Sequence, residues 1–253
     1  MSLFSVSHIL MLLVTAAGIT GVALLLRRLP RSVQNIVFVC TAIGCSAGIF
    51  YRYAMGLSWE GGVTLRPLLM QMLQVCNFNF LLMPLVLIPR LKIVRQYILF
   101  FSMFCAATTL LSPSGGWSEL VWYAPTILNS WINHSLIVAL PVWMMATNRI
   151  RPEKKYVLPV TGCVFLYYTV AYGISELLIE KGLMTVATSH SFIYEPGGIG
   201  VLELLYRLIP HPYFYLYPLI PLLMLFFFVF SYLFGDFKKE PKRKAKGKKA
   251  AMK

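Results

Sequence analysis

The sequence predicts an all-α fold, a polytopic membrane bundle of seven transmembrane helices. The 253-residue chain is 58% hydrophobic and has a mean hydropathy of +0.71, and a water-soluble domain could not bury that much apolar surface. Apolar runs of about 20 residues, the length that crosses a hydrocarbon core of about 30 Å, recur along the chain. Arginine and lysine cluster in every second connection between these runs, as the positive-inside rule requires.

Seven runs define the predicted helices, and together they form one transmembrane domain over residues 1–235. The first run starts near the N-terminus without a preceding basic segment, so it is predicted to be a retained helix rather than a cleaved signal peptide. The runs lie at residues 3–26, 33–55, 67–88, 96–112, 120–146, 156–178 and 213–234.

Positive charge predicts the orientation of the bundle. Basic residues crowd the connections between helices one and two, three and four, and five and six. In a seven-helix path these connections share one side of the membrane, predicted to be the cytoplasm, with the N-terminus outside. In a bacterium that membrane would be the plasma membrane. The basic residues are Arg27, Arg28, Arg31, Arg90, Lys92, Arg95, Arg149, Arg151, Lys154 and Lys155.

The C-terminal segment, residues 236–253, is predicted to be a basic, disordered cytoplasmic tail. Lysine and arginine dominate it, so it repels itself and has little apolar surface to bury. Such tails are attracted to anionic lipid headgroups, by about 1 kcal/mol per basic residue close to the membrane. Nucleic acid is not a predicted partner, because no aromatic residue beyond Phe237 is interleaved with the charges.

The long outer connection, residues 179–212, stands out among otherwise short loops. It contains a turn signal, EPGG at 195–198, followed at 199–209 by the pattern of a short amphipathic helix in the membrane interface. Tyr213, Tyr215 and Tyr217 are predicted to follow at the headgroup level, as an aromatic belt. Two roles stay open: anchoring at the interface, and a lid over a cavity that opens outward.

The third predicted helix carries an unusual number of polar side chains. Four amides and one thiol stand where Leu, Ile and Val are usual in a membrane helix. At about 100° per residue they point around most of the helix circumference, so this helix is predicted to lie inside the bundle. These residues are Gln71, Gln74, Cys76, Asn77 and Asn79.

The fifth predicted helix carries a matching polar stripe. Ser130 precedes His134 by four residues and Asn129 precedes Asn133 by four, so these side chains share one part of the helix surface. At 1.5 Å per residue from the predicted outer helix ends, Cys76 lies about 15 Å deep and His134 about 16 Å. The thiol and the imidazole are therefore predicted to face one polar, outward-opening cavity, within direct or single-water hydrogen-bond reach.

A thiol and an imidazole at one level can form a nucleophile and its base. The thiolate is the reactive form of cysteine, and a neighbouring imidazole can accept the thiol proton, so attack on an ester would give a thioester. The alternative is structural: single cysteines pack as small apolar groups, and membrane histidines often only bond between helices. The five cysteines all lie in apolar runs without a CxxC pair or zinc spacing, so neither disulfide, metal nor cofactor is predicted.

Short motifs resemble the YwaF-like family of bacterial integral membrane proteins. They are QVCNF on helix three, WINHS on helix five, a basic NRIRP turn at 148–152, and an EPGG segment leading to PHPYFYLY. That family is related to eukaryotic acyltransferases that build polyunsaturated ether phospholipids. The resemblance implies that Cys76 is an acyl-carrying nucleophile and His134 its partner. Many members read close to PLHLC before the cysteine, so Gln74 stands here at the position of a second histidine.

The sequence thus predicts a membrane-embedded lipid acyltransferase or transacylase. Cys76 would attack an acyl ester with His134 as general base, and the chain would pass to a lysophospholipid or related acceptor. Glu176, near the outer end of helix six, would orient the imidazole or bind a headgroup. The second class is a non-enzymatic membrane subunit or lipid-binding protein, in which the polar stripes only pack helices. The predicted substrate contacts are Gln71, Gln74, Asn77, Asn79, Asn129, Ser130, Asn133 and Glu176.

Overall fold

The computed structural model describes residues 5–54, 73–112, 123–183, 192–196 and 200–235. All regular secondary structure in these residues is helical, as the sequence predicted. Six of the described helices are long and apolar enough to cross a membrane, and one shorter apolar helix lies between the second and the third of them. Helices suit a bilayer because each backbone N–H and C=O finds its partner within one segment.

We number eight helical segments along the described residues. The six long ones are α1 Val6–Leu26, α2 Arg31–Ala54, α4 Lys92–Leu111, α5 Pro125–Ala146, α6 Val157–Glu180 and α8 Leu219–Gly235. The short ones are α3 Val75–Leu82, continued by a 3₁₀ turn over Met83–Leu87, and α7 Gly200–Leu208. α7 lies in the segment predicted to form a short amphipathic helix. The basic tail lies outside the described residues.

The prediction of one continuous helix over residues 67–88 is wrong at Gln74. This residue has extended backbone angles (φ −79°, ψ 121°) and caps the N-terminus of α3. Its side-chain oxygen accepts a hydrogen bond from Nδ2 of Asn77 at 2.9 Å, a local bond typical of helix starts. The α-helix also ends early, at Leu82, because Pro84 has no N–H to continue it. Cys76 therefore lies in the first turn of a helix rather than in the middle of one.

The basic connections meet at one end of the bundle. Nε of Arg27, after α1, donates to the carbonyl of Ala146 at the end of α5 (3.0 Å). Nη2 of Arg149 donates to the carbonyl of Arg31 at the start of α2 (3.4 Å). Nη2 of Arg95, in the first turn of α4, donates to the carbonyl of Arg149 (2.7 Å). We call this the basic end of the bundle.

α8 also ends at the basic end. Its last residue, Gly235, approaches the carbonyl of Pro152 so closely that a Cβ at this position would overlap it. Pro152 belongs to the connection between α5 and α6, three residues after Arg149. The last turns of α1, α5 and α8 and the first turns of α2, α4 and α6 therefore lie together.

Two tryptophans of α5 hold α1 against it. Nε1 of Trp131 donates to Oγ1 of Thr15, and Nε1 of Trp143 donates to the carbonyl of Ile19, each at 2.9 Å. Buried indole N–H groups need acceptors, and a membrane interior has no water to supply them. Because the partners follow in the same order along both helices, α1 and α5 run in the same direction.

α4 passes through a buried part of the bundle. Its residues Ile98–Ser102 form a π-helical turn, and all five side chains are buried. Phe100 in this turn stacks on Phe227 of α8, with 5.3 Å between ring centroids. Single π turns are rare and are frequent at functional sites.

α2 and α5 cross at a glycine. Gly48 lies against the side-chain amide of Asn133, and a Cβ at Gly48 would overlap that amide. Asn133 is also bonded to its own helix, since its Nδ2 donates to Oδ1 of Asn129 (3.4 Å). Small residues let membrane helices approach closely. Gly48 therefore sets how near α5, which carries His134, can come to α2.

Gly48→Ala should lower the free energy of unfolding by about 1–3 kcal/mol, the usual cost of overpacking a tight contact. Gly44, one turn earlier on α2, has open space around it. Gly44→Ala is therefore the matched control and should keep or slightly raise stability, since alanine favours helix over glycine. Thermal unfolding of the detergent-purified variants measures the difference. Equal stability of the two variants would contradict the close contact.

Candidate functional site

Cys76 occupies the first turn of α3. The first hydrogen bond of that helix runs from the N–H of Phe78 to the carbonyl of Gln74 (3.0 Å). The N–H groups of Val75 and Cys76 precede this bond and project from the helix N-terminus. The Cys76 side chain is partly buried. The thiol thus lies beside backbone donors at a helix start.

The Cys76 side chain forms part of the wall of a cavity of about 520 Å³, within the range of about 300–1,000 Å³ that is typical of ligand pockets. The prediction of a polar cavity is wrong, because apolar side chains of α4, α6 and α8 make up most of the described wall. The sequence pattern does not determine how the helices pack, and in the packed bundle the amides of α3 and α5 do not line this cavity. Apolar wall residues include Val75, Phe101, Phe104, Val164, Phe165, Leu202, Leu216, Ile220, Leu223 and Phe226.

The outer connection, together with Tyr213 directly after it, forms one side of this cavity. Phe192, Leu202 and Tyr213 all line it. Tyr213 has a positive φ of 64°, and its N–H donates to the carbonyl of Ile193 (2.6 Å). Its hydroxyl group forms a hydrogen bond with that of Thr169 on α6 (2.6 Å). The segment therefore covers the cavity in addition to any role at the interface.

The prediction of an aromatic belt is wrong for two of its three tyrosines. Tyr213 and Tyr215 are buried, and Tyr217 alone of the three is exposed. The Tyr215 hydroxyl donates to the carbonyl of Phe192, and the Tyr213 ring stacks on Tyr172 with 5.0 Å between centroids. The turn at Tyr213 folds the segment inward. Protein partners therefore replace the lipid headgroups.

His134 lies on α5, and its own helix fixes its tautomer. Nδ1 is 2.7 Å from the carbonyl oxygen of Ser130, which can only accept, so Nδ1 carries the proton and the neutral ring has its lone pair on Nε2. The ring packs edge-on against Phe80 of α3, with 5.3 Å between centroids. Phe80 lies one helical turn after Cys76. The imidazole therefore adjoins the helix that carries the thiol.

The thiol and the imidazole differ in their relation to the cavity. Cys76 lines the cavity. His134 is not one of the residues that form its described wall. The His134 ring reaches α3 at Phe80, and Phe80 and Cys76 lie on neighbouring turns of one helix. A direct contact between the two reactive groups stays a prediction.

Most of the amides predicted to contact substrate bond one another instead. Asn77 pairs with Gln74, and Asn133 pairs with Asn129. None of these four residues lines the described cavity. Gln71 lies outside the described residues. Side chains three or four residues apart meet on a helix surface, so these amides satisfy each other before any ligand does.

Asn79 differs from the other amides. It is 1% exposed, and neither Nδ2 nor Oδ1 has a hydrogen-bond partner among the described residues. Leaving a buried polar group unsatisfied costs about 1–3 kcal/mol, so such a group calls for a reason. Asn79 follows Cys76 by three residues on α3. Like the other amides, it does not line the described cavity, so its role as a substrate contact stays a prediction.

Glu176 does not orient His134 through any described contact. Its carboxylate accepts a hydrogen bond from the hydroxyl of Tyr194 at 2.6 Å. Burial, and then the hydrogen bond to Glu176, raise the pKa of Tyr194, so this phenol stays a donor at any physiological pH. Glu176 thus ties the outer segment to α6.

The sequence prediction missed the polar stripe of α4. Cys105 lines the same cavity as Cys76, together with Thr108, Thr109 and Ser112. These four positions follow the spacing i, i+3, i+4 and i+7, the pattern of a single helix face. That periodicity is a signal in the sequence that identifies the stripe.

The fold and the site together define an integral membrane protein whose helices line an apolar cavity with two thiols, those of Cys76 and Cys105, on its wall. In the described part of the chain, no group of three or more His, Cys, Asp or Glu residues could hold a metal ion.

The family model described as the TMEM164 family matches residues 3–232, and the chain belongs to that family. No curated protein and no solved structure matches the chain. The match confirms the prediction of a membrane protein family. The narrower YwaF-like resemblance stays a prediction.

Proposed function

We propose that this protein is a membrane-embedded lipid acyltransferase or transacylase with Cys76 as its nucleophile. One observation carries the proposal: the thiol lies on the wall of an apolar cavity of about 520 Å³. At about 30 Å³ per methylene group, similar to the share of one water molecule in the liquid, this volume holds a chain on the order of 17 carbons. The cavity therefore suits the acyl chain of a membrane lipid.

The reaction needs two half-reactions. In the first, the Cys76 sulfur bonds to the carbonyl carbon of an acyl ester while His134 takes the thiol proton; the C–O bond then breaks, and the imidazolium returns the proton to the departing lysolipid. In the second, the acceptor hydroxyl gives its proton to His134 and attacks the thioester. The C–S bond breaks, and the sulfur regains the proton. One acyl group moves, and no electron is gained or lost.

The tautomer of His134 supports its role as the base. With the proton on Nδ1 held by the Ser130 carbonyl, Nε2 is the nitrogen that can accept a proton. A base must reach that proton directly or through one water, so we expect Nε2 and the Cys76 sulfur to meet within that reach in the reacting complex. The packing of His134 against Phe80 supports this expectation.

Donors around Cys76 would stabilise the negative oxygen that forms during attack. The N–H groups of Val75 and Cys76 project from the start of α3. The amide of Asn79, which has no hydrogen-bond partner among the described residues, follows three residues later. Removing one such donor typically costs a factor of about 10²–10³ in kcat. The helix N-terminus and Asn79 are the proposed sources of this stabilisation.

The second candidate is a non-enzymatic lipid-binding protein or membrane subunit. The packing role of the amides other than Asn79 supports this candidate. Asn133, for example, packs against Gly48 where α2 and α5 cross. Under this alternative the cavity binds lipid and Cys76 is only part of its wall. The catalytic variants below separate the two candidates.

The proposed topology has seven crossings, with the N-terminus outside and the tail in the cytoplasm. α2 and α4 both begin at the basic end, which supports one further crossing between them, through α3. The parallel course of α1 and α5 supports the same count, because three crossings must then separate them. The arginines at the basic end favour the cytoplasmic side, and in a bacterium the membrane would be the plasma membrane.

The cavity suggests which lipids this protein would use. The sequence motifs suggest which proteins it is related to. Membrane phospholipids would donate the acyl chain, a lysophospholipid would accept it, and the basic tail would lie against anionic headgroups. The YwaF-like motifs, which include QVCNF around Cys76 and WINHS around His134, support the link to lipid acyltransferases.

Cys76→Ala should abolish transfer of a labelled acyl chain from a phospholipid to a lysophospholipid, because it removes the sulfur that is the proposed nucleophile. His134→Ala should slow the transfer by about 10²–10⁴, the usual contribution of a general base. Cys163→Ala is the matched control: this thiol is partly buried on α6 and does not line the described cavity. Thin-layer separation of labelled lipids measures the rates.

Full transfer by Cys76→Ala, with its fold intact, would reject the enzyme and leave the lipid-binding candidate. If His134→Ala transfers at the full rate while Cys76→Ala does not, Cys76 remains the proposed nucleophile and His134 is not its base.

Val164→Phe should shift the preferred acyl chain to a shorter length. Val164 is buried on α6 and lines the cavity, so a phenyl ring there takes volume from the chain. Val170→Phe, an exposed position on the same helix outside the described wall, is the control and should keep the wild-type preference. Competition between donors of different chain length measures the shift. An unchanged preference in both variants would show that the chain binds elsewhere.

A membrane-impermeant maleimide should label Glu195→Cys from outside sealed cells and Lys154→Cys only after the cells are opened. Both positions are exposed, and they lie in the outer connection and at the basic end respectively. The unsubstituted chain provides the background. The reverse pattern of labelling would overturn the proposed orientation.

A further inference from the structure

A second, smaller pocket lies at the basic end of the bundle. Its volume is about 130 Å³, and four basic residues line it: Lys92 and Arg95 from the start of α4, and Arg149 and Arg151 from the connection between α5 and α6. This pocket is too small for an acyl chain, and its chemistry is opposite to that of the Cys76 cavity. It is separate from the proposed reaction.

The walls of this pocket are fixed to each other. Nη2 of Arg95 donates to the carbonyl of Arg149, and Nε2 of Gln96 donates to the carbonyl of Arg151, each at 2.7 Å. The Gln96 side-chain oxygen accepts from the N–H of Glu153 (3.1 Å). The connection between α5 and α6 is therefore bonded to α4, which holds the basic residues in place before any ligand arrives. Such preorganisation distinguishes a pocket from a solvated basic loop.

The described neighbours of these cations are mostly neutral. Arg149 donates to the side-chain oxygen of Gln34 (3.2 and 3.4 Å), and Arg151 donates to that of Asn148 (2.8 Å). Neither acceptor removes a positive charge. The pocket therefore keeps most of its positive charge.

One carboxylate and one unsatisfied donor complete the pocket. Glu153 lines it, and its Oε2 is 2.6 Å from Nζ of Lys155, which offsets part of its charge. Nε of Arg95 is buried and has no hydrogen-bond acceptor among the described residues. A buried guanidinium N–H without an acceptor is costly. A negatively charged oxygen in the pocket would supply the missing partner.

We propose that this pocket binds a phosphate group, and that the phosphate belongs to the headgroup of a phospholipid in the adjoining leaflet. Guanidinium groups recognise phosphate oxygens through charge-assisted hydrogen bonds, and lysine adds a point charge. Basic pockets between transmembrane helices bind lipid headgroups in this way. The pocket lies at the ends of apolar helices, where a headgroup phosphate of a bilayer lipid also lies. Inorganic phosphate has the same chemistry and is the alternative source.

The test measures binding of phosphatidic acid to the full-length protein in neutral detergent by native mass spectrometry. Lys92→Gln removes one pocket charge without breaking any described hydrogen bond, and it should weaken binding about fivefold. Arg28→Gln removes one charge from an exposed position in the connection between α1 and α2, outside the described pocket. It is the matched control and should leave binding unchanged.

Two further arms complete the experiment. Arg95→Lys keeps the positive charge but lacks Nε, and its binding should also fall. Diacylglycerol, which has no phosphate, should show no loss with Lys92→Gln. Equal binding by wild type, Lys92→Gln and Arg28→Gln would contradict the proposal that this pocket binds phosphate. An equal loss in both variants would contradict it as well. Complete displacement of phosphatidic acid by millimolar inorganic phosphate would overturn the lipid source.

Discussion

The exclusion of water from the membrane interior is the constraint on which this structure depends. Each buried polar group must find its partner in the protein. The indole N–H groups of Trp131 and Trp143 therefore bond to α1 and fix its direction relative to α5. His8 of α1 likewise finds its partner in the protein, since its Nε2 bonds to the carbonyl of Leu110 on α4 (2.9 Å). These few bonds join helices whose outer surfaces are apolar.

The same constraint explains how the candidate site separates binding from chemistry. The cavity can stay apolar because the amides near it bond to each other within α3 and α5. Cys76 lies where these two environments meet, on the cavity wall and in the first turn of a helix. In the proposed reaction the lipid chain would occupy the apolar side, and the ester would lie among the helix N-terminus, Asn79 and His134. The amide of Asn79, without a partner in the described part of the chain, is the exception that such a ligand would resolve.

Much of the fold could be predicted because helix length and loop charge are local properties of the sequence. Apolar runs gave the six long helices, and arginines in alternate connections anticipated the basic end. Helix packing is not local, and the predictions that depended on it failed. Tyr213 and Tyr215 have the spacing of an interfacial belt but are buried, because the chain turns inward at Tyr213. The prediction of a polar cavity was also wrong, because it too depended on how the helices pack. Cys76 and His134 could be singled out as rare polar groups in apolar runs, whereas the cavity beside Cys76 needed the arrangement of α4, α6 and α8.

The most direct test of the central claim is to trap the acyl group on the protein. The purified protein is incubated with a phospholipid that carries a labelled acyl chain, quenched in acid, digested and mapped by mass spectrometry. A labelled acyl group is expected on the peptide that contains Cys76, released by neutral hydroxylamine as a thioester is. A labelled peptide containing Cys105 instead, or no acylated peptide in a preparation that transfers acyl chains, would contradict it.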